Sequence, residues 1–265
     1  MDLSGGTALV TGGNRGIGRA VAEELAKRPL ELLLVGMRDI SKYEQIGPPP
    51  DGAREVRPVT IDLSTHETTE RSCDELAELD RLTLLVNNAG QLTAGLLEEQ
   101  ELEDIYSMFQ VNLLGLVHMT RRALPGMLRR GGGKIVNNAS ISGYAWFPAA
   151  STYSAAKTGV VAFSESLRRE LKDTGVSVLH LVTPGVDTRM LDETKEAYER
   201  HMSTSGWGEM QPEEWAEKVA AAIESDDHVL GPGGRTALAK LASRGPAFLL
   251  DAVTDRAFDR EPGSR

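Results

Sequence analysis

Tyr153 and Lys157 stand four residues apart in Ser151-Thr152-Tyr153-Ser154-Ala155-Ala156-Lys157, at the start of a long helical pattern. On an α-helix, positions i and i+4 share one face, so the phenol and the ammonium point the same way. A phenol titrates near pH ~10. A fixed ammonium beside it favours the phenolate and lowers that value. The pair would then donate and accept a proton near neutral pH. The spacing also occurs on ordinary exposed helix turns, so the chemistry depends on what the rest of the chain brings to it.

A second group of residues points to a phosphate. Thr7-Ala8-Leu9-Val10 is a short apolar run that leads into Thr11-Gly12-Gly13-Asn14-Arg15-Gly16-Ile17-Gly18. Glycines between a strand and a helix allow unusual backbone angles and close approach of a pyrophosphate. The following helix offers free N–H groups and the positive end of its dipole. The spacing here is G-x-x-x-G-x-G, not the G-x-G-x-x-G of the dinucleotide fingerprint. After the second apolar run comes Gly36-Met37-Arg38-Asp39. A carboxylate at that place accepts from a ribose 2′-hydroxyl, whereas an arginine suits a 2′-phosphate. Arg15 supplies a possible second guanidinium for the same phosphate. Asp39 is the competing reading, and the balance favours NADP(H) over NAD(H).

The elements that must position these residues follow from periodicity. Buried strands are predicted at 7–10, 32–35, 56–61, 82–86, 134–136 and 176–182, with a short seventh at 229–230. Helical patterns fall at about 19–28, 66–80, 101–130, 152–173 and 212–224. Alternating strands and helices imply βαβ units. The near-continuous apolar strands fit a parallel sheet covered on both faces. The expected fold is α/β, a Rossmann-like doubly wound parallel sheet of about seven strands, with a helical C-terminal extension. Residues 1–234 are read as a single catalytic domain with a lid at about 187–210, and residues 235–265 as the extension.

Composition narrows the function. A chain of 265 residues with net charge -10 is long enough for a sizeable core and too acidic for nucleic acid to be its main partner. The single cysteine, Cys73, excludes an intrachain disulfide and fits a reducing cytoplasm. The N-terminus shows no basic-then-apolar leader, and no apolar run approaches the roughly 20 residues of a membrane helix. No metal-ligand spacing is present.

With the glycine turn and Tyr153/Lys157 in hand, the chain resembles the short-chain dehydrogenase/reductase family in its common single-domain form, from about Leu3 to Thr188. Asp62-Leu63 looks like the family's adenine-contacting pair, and Asn87-Asn88-Ala89-Gly90 like its Asn-Asn-Ala-Gly signature beside the cofactor. Asn112 falls where the family has its structural and catalytic asparagine. Ser140 precedes Tyr153 at the family's usual distance, and Pro184-Gly185 resembles its nicotinamide-side turn. The resemblance implies that Tyr153 is the general acid or base and that Lys157 lowers its pKa and binds the nicotinamide ribose. Ser140 would donate to the substrate oxygen, and Asn112 would hold a water linking Lys157 to solvent. Gly12, Asn14, Arg15, Gly16, Ile17, Gly18, Arg38, Asp62, Leu63, Asn88, Ala89, Gly90, Pro184, Gly185 and Thr188 would join Tyr153 and Lys157 around the cofactor. Three departures stand out. Asn138 replaces a small or apolar residue, Thr188 is one residue closer to Pro184-Gly185 than usual, and the Asp-Gly-Gly ending of many tetrameric members is missing.

On the substrate side, Tyr144, Trp146, Phe147 and Pro148 lie between Ser140 and Tyr153, and Met190, Leu191, Met202, Trp207 and Met210 follow Pro184-Gly185. Such residues suit a hydrophobic pocket and equally a lid packed on its domain. Ser140, Tyr144, Trp146, Tyr153, Met190 and Trp207 are taken as substrate residues. The charged stretch around Asp192 to Arg200 reads as a solvated helix face. The basic, apolar tail could lie on a membrane surface, but packing on its own domain or a partner subunit is favoured. Residues 101–130 and 152–173 correspond to the helices through which the family commonly dimerises, which implies a homodimer or homotetramer. The resulting expectation is an NADP(H)-dependent oxidoreductase interconverting a small-molecule carbonyl and a secondary alcohol. The alternatives are a 3-ketoacyl-carrier reductase and a silent NADP(H)-binding regulatory protein.

Overall fold

A computed structural model of the chain describes residues 1–189, 198–201, 210–225 and 227–231. Seven strands form one sheet: β1 (Thr7–Thr11), β2 (Leu32–Met37), β3 (Val56–Thr60), β4 (Leu84–Asn87), β5 (Gly133–Asn138), β6 (Val176–Leu181) and β7 (Val229–Leu230). Their order is β3-β2-β1-β4-β5-β6-β7, and every pairing is parallel. The strand order reverses between β1 and β4, which opens a crevice at their carboxyl ends. Six α-helices are described: α1 (Gly16–Ala26), α2 (His66–Glu75), α3 (Leu102–Phe109), α4 (Leu116–Arg130), α5 (Ser151–Glu170) and α6 (Pro212–Glu224).

Both sheet faces are covered. Successive strand side chains point to opposite faces, and β1 divides accordingly. Ala8 and Val10 pack with Val21 and Leu25 of α1 and Trp215 and Val219 of α6. Leu9 packs on the other face with Cys73 of α2, Met119 and Ala123 of α4 and Leu167 of α5. Each fully buried Leu or Val contributes about 1.5–3 kcal/mol. The Cys73 thiol is buried and burial pushes its pKa up to about 11, as suits a packing residue.

Several boundaries differ from those predicted. The first helix begins at Gly16, inside the glycine turn, because Arg15 is still extended at φ -158. The helix predicted over 66–80 is capped at its start by the Thr65/Thr68 capping box and ends at Glu75, where Leu76 turns extended. Leu76, Leu79 and Leu82 then enter the core individually. The helix predicted over 101–130 is interrupted by a π-helical segment, Gln110–Gly115. Periodicity of apolar residues does not reveal a one-residue bulge of this kind. The C-terminal extension at 235–265 and most of the lid, Met190 and Trp207 included, lie outside the described residues.

Candidate active site

The glycine turn is built by close packing. Gly12 has φ +65 and Gly16 φ +52, left-handed values that glycine adopts without steric cost. A Cβ on Gly18 would lie 2.2 Å from the Gly12 carbonyl oxygen and 2.3 Å from Asn88 Nδ2. One on Gly12 would meet the Ala89 Cα at 2.8 Å. The turn is thus pressed against the segment after β4. Thr11 Oγ1 accepts from the Asn88 and Ala89 amides at 3.0 and 3.1 Å, and Asn88 Nδ2 donates to the Thr11 carbonyl at 3.1 Å. No side chain caps α1, and its first turn carries no acidic residue. Those first-turn amides and the dipole end make an anion site. The cradle fits the pyrophosphate of a dinucleotide.

The other predicted cofactor residues fall around this turn. Arg15 and Arg38 are exposed, whereas the neighbouring Asp39 is committed to its own loop. Its carboxylate accepts from the Ser41 amide at 3.0 Å and from the Ser41 hydroxyl, and lies 3.6 Å from Lys42 Nζ. These contacts, the Ser41 hydroxyl first, hold the Asp39 carboxyl below its usual range. Asp62 Oδ1 accepts from the Ser64 amide at 3.0 Å. Leu63 is buried in the core, so its main chain and the half-exposed Asp62 remain to meet a base. Asn14 and Ile17 are half-buried in the turn, as are Pro184 and Gly185 after β6. Thr188 reaches the cradle despite its shortened spacing: a Cβ on Gly16 would lie 3.2 Å from its Cγ2.

Asn112 sits in the π segment, 1% exposed. Its Oδ1 accepts from the Gln91 amide at 2.7 Å and its Nδ2 donates to the Gln91 carbonyl at 2.8 Å. Gly90 leaves room for this clamp, since a Cβ there would lie 3.3 Å from Asn112 Oδ1. Its amide is bonded at both ends to the turn after β4, which it positions. The π geometry is a local widening of the helix of the sort that recurs at functional sites.

A buried polar line orients α5. Asn87 Nδ2 donates to Asn137 Oδ1 at 2.9 Å, Asn137 Nδ2 to Ser164 Oγ at 2.9 Å, and Ser164 to the Val160 carbonyl at 2.7 Å. This ties β4 and β5 to α5 and fixes which face of the helix meets the sheet. Lys157 is consequently 4% exposed. Its Nζ donates to the Asn138 carbonyl at 2.8 Å and lies 5.7 Å from the Tyr153 ring centroid. Tyr153 is half-buried, and its phenol is influenced by the Ser140 side chain. Ser140 Oγ also accepts from the Ser142 amide at 3.1 Å, which leaves its proton for a substrate oxygen. Burial pushes the phenol up to about 12, against the lowering influence of Ser140, and pushes Lys157 down to about 8. Loss of hydration is the largest influence on the phenol.

Asn138, the departure noted in the sequence, is satisfied locally. Its Nδ2 donates to Asn88 Oδ1 at 3.0 Å and its Oδ1 accepts from the Thr183 hydroxyl. It links the cofactor turn, β5 and the end of β6 beneath Lys157.

The predicted substrate residues divide. Tyr144 is 7% exposed, and its hydroxyl is bonded to His180 at 2.7 Å inside the domain. Trp146 is 46% exposed, with its indole N–H on Thr158 Oγ1 at 3.0 Å. Thr158 lies about 140° round α5 from Tyr153, so this contact is on another face of the helix. Tyr198 is instead buried against Ala149 and Ala150, just ahead of Tyr153. It is the one aromatic in a charged run read as a solvated face, and Glu199 and Arg200 are indeed exposed. That lone aromatic was the available signal.

A family model described as short chain dehydrogenase matches residues 6–199. The 3-oxoacyl-acyl-carrier-protein reductase of Haemophilus influenzae is 33% identical over 235 residues, 85% of this chain and 93% of that protein. A short chain dehydrogenase from Burkholderia cenocepacia, solved in complex with NADP, superposes with a TM-score of 0.80 at 26% identity, covering 96% of this chain and 99% of that one. A short chain dehydrogenase/reductase from Burkholderia phymatum, solved in complex with NAD, gives 0.76 at 25% identity, covering 92% and 95%.

Proposed function

Because this chain belongs to the short-chain dehydrogenase/reductase family of oxidoreductases, we propose that it is an NADP(H)-dependent enzyme interconverting a carbonyl and a secondary alcohol on a small, apolar molecule. The observation that carries the reading is the buried Lys157 ammonium 5.7 Å from the centroid of the Tyr153 ring, at the crevice of a parallel sheet beside an uncapped glycine turn. In the reducing direction Tyr153 gives its proton to the carbonyl oxygen. Ser140 donates a hydrogen bond to that oxygen as charge develops there. Lys157 holds a positive charge beneath the phenolate that forms. Asn112 and Asn138 keep the surrounding turns in place. The nicotinamide supplies the hydride, or accepts it in the reverse reaction. The Gly12–Gly18 turn and the α1 amides would bind the pyrophosphate, with Thr188 and Pro184-Gly185 on the nicotinamide side.

The cofactor preference rests on Asp39. Its carboxylate is folded back on Ser41, while Arg38 and Arg15 face solvent at the end of β2 and in the turn. Two guanidiniums favour a 2′-phosphate. The reading includes a cytoplasmic homodimer or homotetramer. Supporting it, Leu102, Tyr106 and Leu114 are 64%, 75% and 55% exposed along α3 and the π segment, an apolar face suited to a second copy.

The test is to follow NADPH and NADH absorbance near ~340 nm with a panel of ketones and aldehydes. NADPH-dependent turnover that Tyr153→Phe lowers by about 10²–10⁴-fold supports the reading. Tight NADPH binding without turnover, unaffected by Tyr153→Phe, would move it to a nucleotide-binding regulatory protein. Similarity to the Haemophilus reductase favours a second reading, reduction of carrier-bound 3-oxoacyl groups. Activity on acyl-carrier substrates and not on free ketones would select it.

A further inference from the structure

The turn that carries Ser140 is wedged between β6 and α5. Ser140 stands just past β5 and opens a single 3₁₀ turn, Ile141–Gly143. On one side the Ile141 amide donates to the Thr183 carbonyl, just past β6, at 3.0 Å. On the other, a Cβ on Gly143 would lie 2.9 Å from the Lys157 carbonyl oxygen, so the turn presses on α5 beside the buried ammonium. Thr158 Oγ1 donates to the Gly143 carbonyl at 3.3 Å. Within the turn the Gly143 amide donates to the Ser140 carbonyl at 2.9 Å, and the Ser142 amide to Ser140 Oγ at 3.1 Å. Ser140 and its turn therefore move as one unit.

Tyr144 fixes where that unit sits. Its amide closes the turn by donating to the Ile141 carbonyl at 2.9 Å. Its ring is buried, and its hydroxyl meets His180 Nε2 at 2.7 Å. His180 lies on β6 and is 2% exposed. Its other ring nitrogen, Nδ1, lies 3.8 Å from Glu165 Oε1 on α5. Glu165 is held in turn by Arg168 Nη2 at 3.3 Å and Arg169 Nη2 at 2.9 Å. Burial opposes the Glu165 charge, but Arg168, His180 and Arg169 together hold its carboxyl below the usual range. A carboxylate on that side favours the Nδ1 proton in the neutral imidazole, which leaves Nε2 to accept from the phenol. One end of the Tyr144–His180–Glu165 line is thus fastened to the serine turn. The other end is fastened to the helix that carries Tyr153 and Lys157. Apolar residues of the same size would fill this space without burying polar groups, so what the line adds is a defined geometry.

We propose that Tyr144 and His180 are positioning residues for Ser140: the Tyr144–His180–Glu165 line ties the serine turn to α5 and sets the Ser140 hydroxyl at the substrate oxygen. The inference rests on the carbonyl/alcohol reading above. Neither residue touches the reacting atoms, and both act through Ser140.

The experiment is a double-mutant cycle in kcat with NADPH, on a carbonyl substrate that wild type turns over. Tyr144→Phe removes one oxygen and keeps the ring. Loss of an oxyanion donor is worth about 10²–10³-fold, and its misplacement a part of that, so Tyr144→Phe is expected to lower kcat about 10-fold. KM for NADPH should stay within about 2-fold, because the cofactor turn is braced by Thr11 and Asn88. In a Ser140→Ala background the same substitution is expected to lower kcat by less than about 2-fold further. A general loosening of the fold would instead multiply with the loss of Ser140. A double variant about 10-fold below Ser140→Ala therefore overturns the inference, as does an unchanged kcat in Tyr144→Phe. Should Tyr144→Phe not fold, His180→Asn, which draws the acceptor back from the phenol, takes its place in the cycle with the same outcomes. If wild type turns over no carbonyl compound, the carbonyl/alcohol reading fails on its own. Amide hydrogen exchange, which needs no turnover, then decides whether the line holds the turn. Ile141 and Gly143 amides exchanging at least about 10-fold faster in Tyr144→Phe support it, and equal rates overturn it.

Discussion

The Lys157 ammonium donates to the Asn138 carbonyl at 2.8 Å while lying 5.7 Å from the centroid of the Tyr153 ring. It is anchored to the end of β5 and presents its charge to the phenol from below. Burial lowers Lys157 to about 8 and raises Tyr153 to about 12. For carbonyl reduction the useful state has Tyr153 protonated and Lys157 charged. The expected kcat/KM for reduction is level through neutral pH and falls above about pH 8, as Lys157 loses its proton. Lys157→Met should remove that limb and lower kcat by about 10²-fold or more. A profile still falling near pH 8 in Lys157→Met would assign the limb to another group.

The same shifts make a stability prediction. Lys157 has a lower pKa folded than unfolded, so between about 8 and the unfolded value the unfolded chain holds more protons. Stability from this residue therefore rises with pH across that window and is lost as pH falls through about 8. Tyr153 acts oppositely: its contribution is full below the unfolded value near ~10 and is lost as pH rises through about 12. Urea unfolding at pH ~7 and ~9.5 should show wild type gaining on Lys157→Met, by at most about 1.4 kcal/mol per pH unit. No relative gain would mean that Lys157 keeps an ordinary pKa in the fold.

Arg38 is the cheapest test of the cofactor. It is exposed next to Asp39, whose carboxylate is engaged by Ser41 and Lys42. A charge-assisted contact to a 2′-phosphate is worth about 1.5–3 kcal/mol. Arg38→Ala should raise KM for NADPH about 10–100-fold and change KM for NADH little. Equal changes for both cofactors would show that Arg38 does not read the 2′ position.

Asn138 joins three segments through one amide. Asn138→Ala leaves Asn88 Oδ1 and the Thr183 hydroxyl without this partner, while the backbone carbonyl that binds Lys157 remains. An unmade buried hydrogen bond costs about 1–3 kcal/mol, and that loss should appear in denaturant midpoints. The dinucleotide Kd should weaken with it, because Asn88 also braces the glycine turn through the Gly12 carbonyl at 3.3 Å.

The strands, their parallel pairing and the two-faced core were legible because each rests on local apolar patterning. The seven-strand order itself came from the structure. The site was legible where the residue type itself constrains the answer: glycine where a Cβ would collide, tyrosine and lysine one helical turn apart. It was not legible where function depends on what a side chain meets across the fold. Asn112 spends its amide on Gln91, Tyr144 turns its hydroxyl to His180, and Asn138 pairs with Asn88 and Thr183. Each partner is distant in sequence and carries no periodic mark. The direction of the Tyr153 shift also depends on burial, which a four-residue spacing does not encode.

Lys134 shows the same principle in a structural role. It opens β5 in the sequence as an ordinary polar strand residue, yet it is 1% exposed. Its Nζ donates to the Ala222 carbonyl at 3.0 Å, the Ile223 carbonyl at 2.9 Å and the Ser225 carbonyl. These are the orphan acceptors at the C-terminus of α6, where the dipole also favours a cation. α6 packs Trp215 and Val219 onto the same sheet face that α1 covers, so the cap holds one side of the core. Lys134→Met preserves length and apolar stem but leaves those carbonyls without the ammonium. A loss of about 2–3 kcal/mol is expected, seen as a lower urea midpoint. Because Lys134 sits at the amino end of β5 and the Tyr153 pocket at the carboxyl end, KM for NADPH in the folded variant should stay within about 2-fold of wild type. A stability-neutral Lys134→Met would show that water or neighbouring groups satisfy the α6 carbonyls just as well.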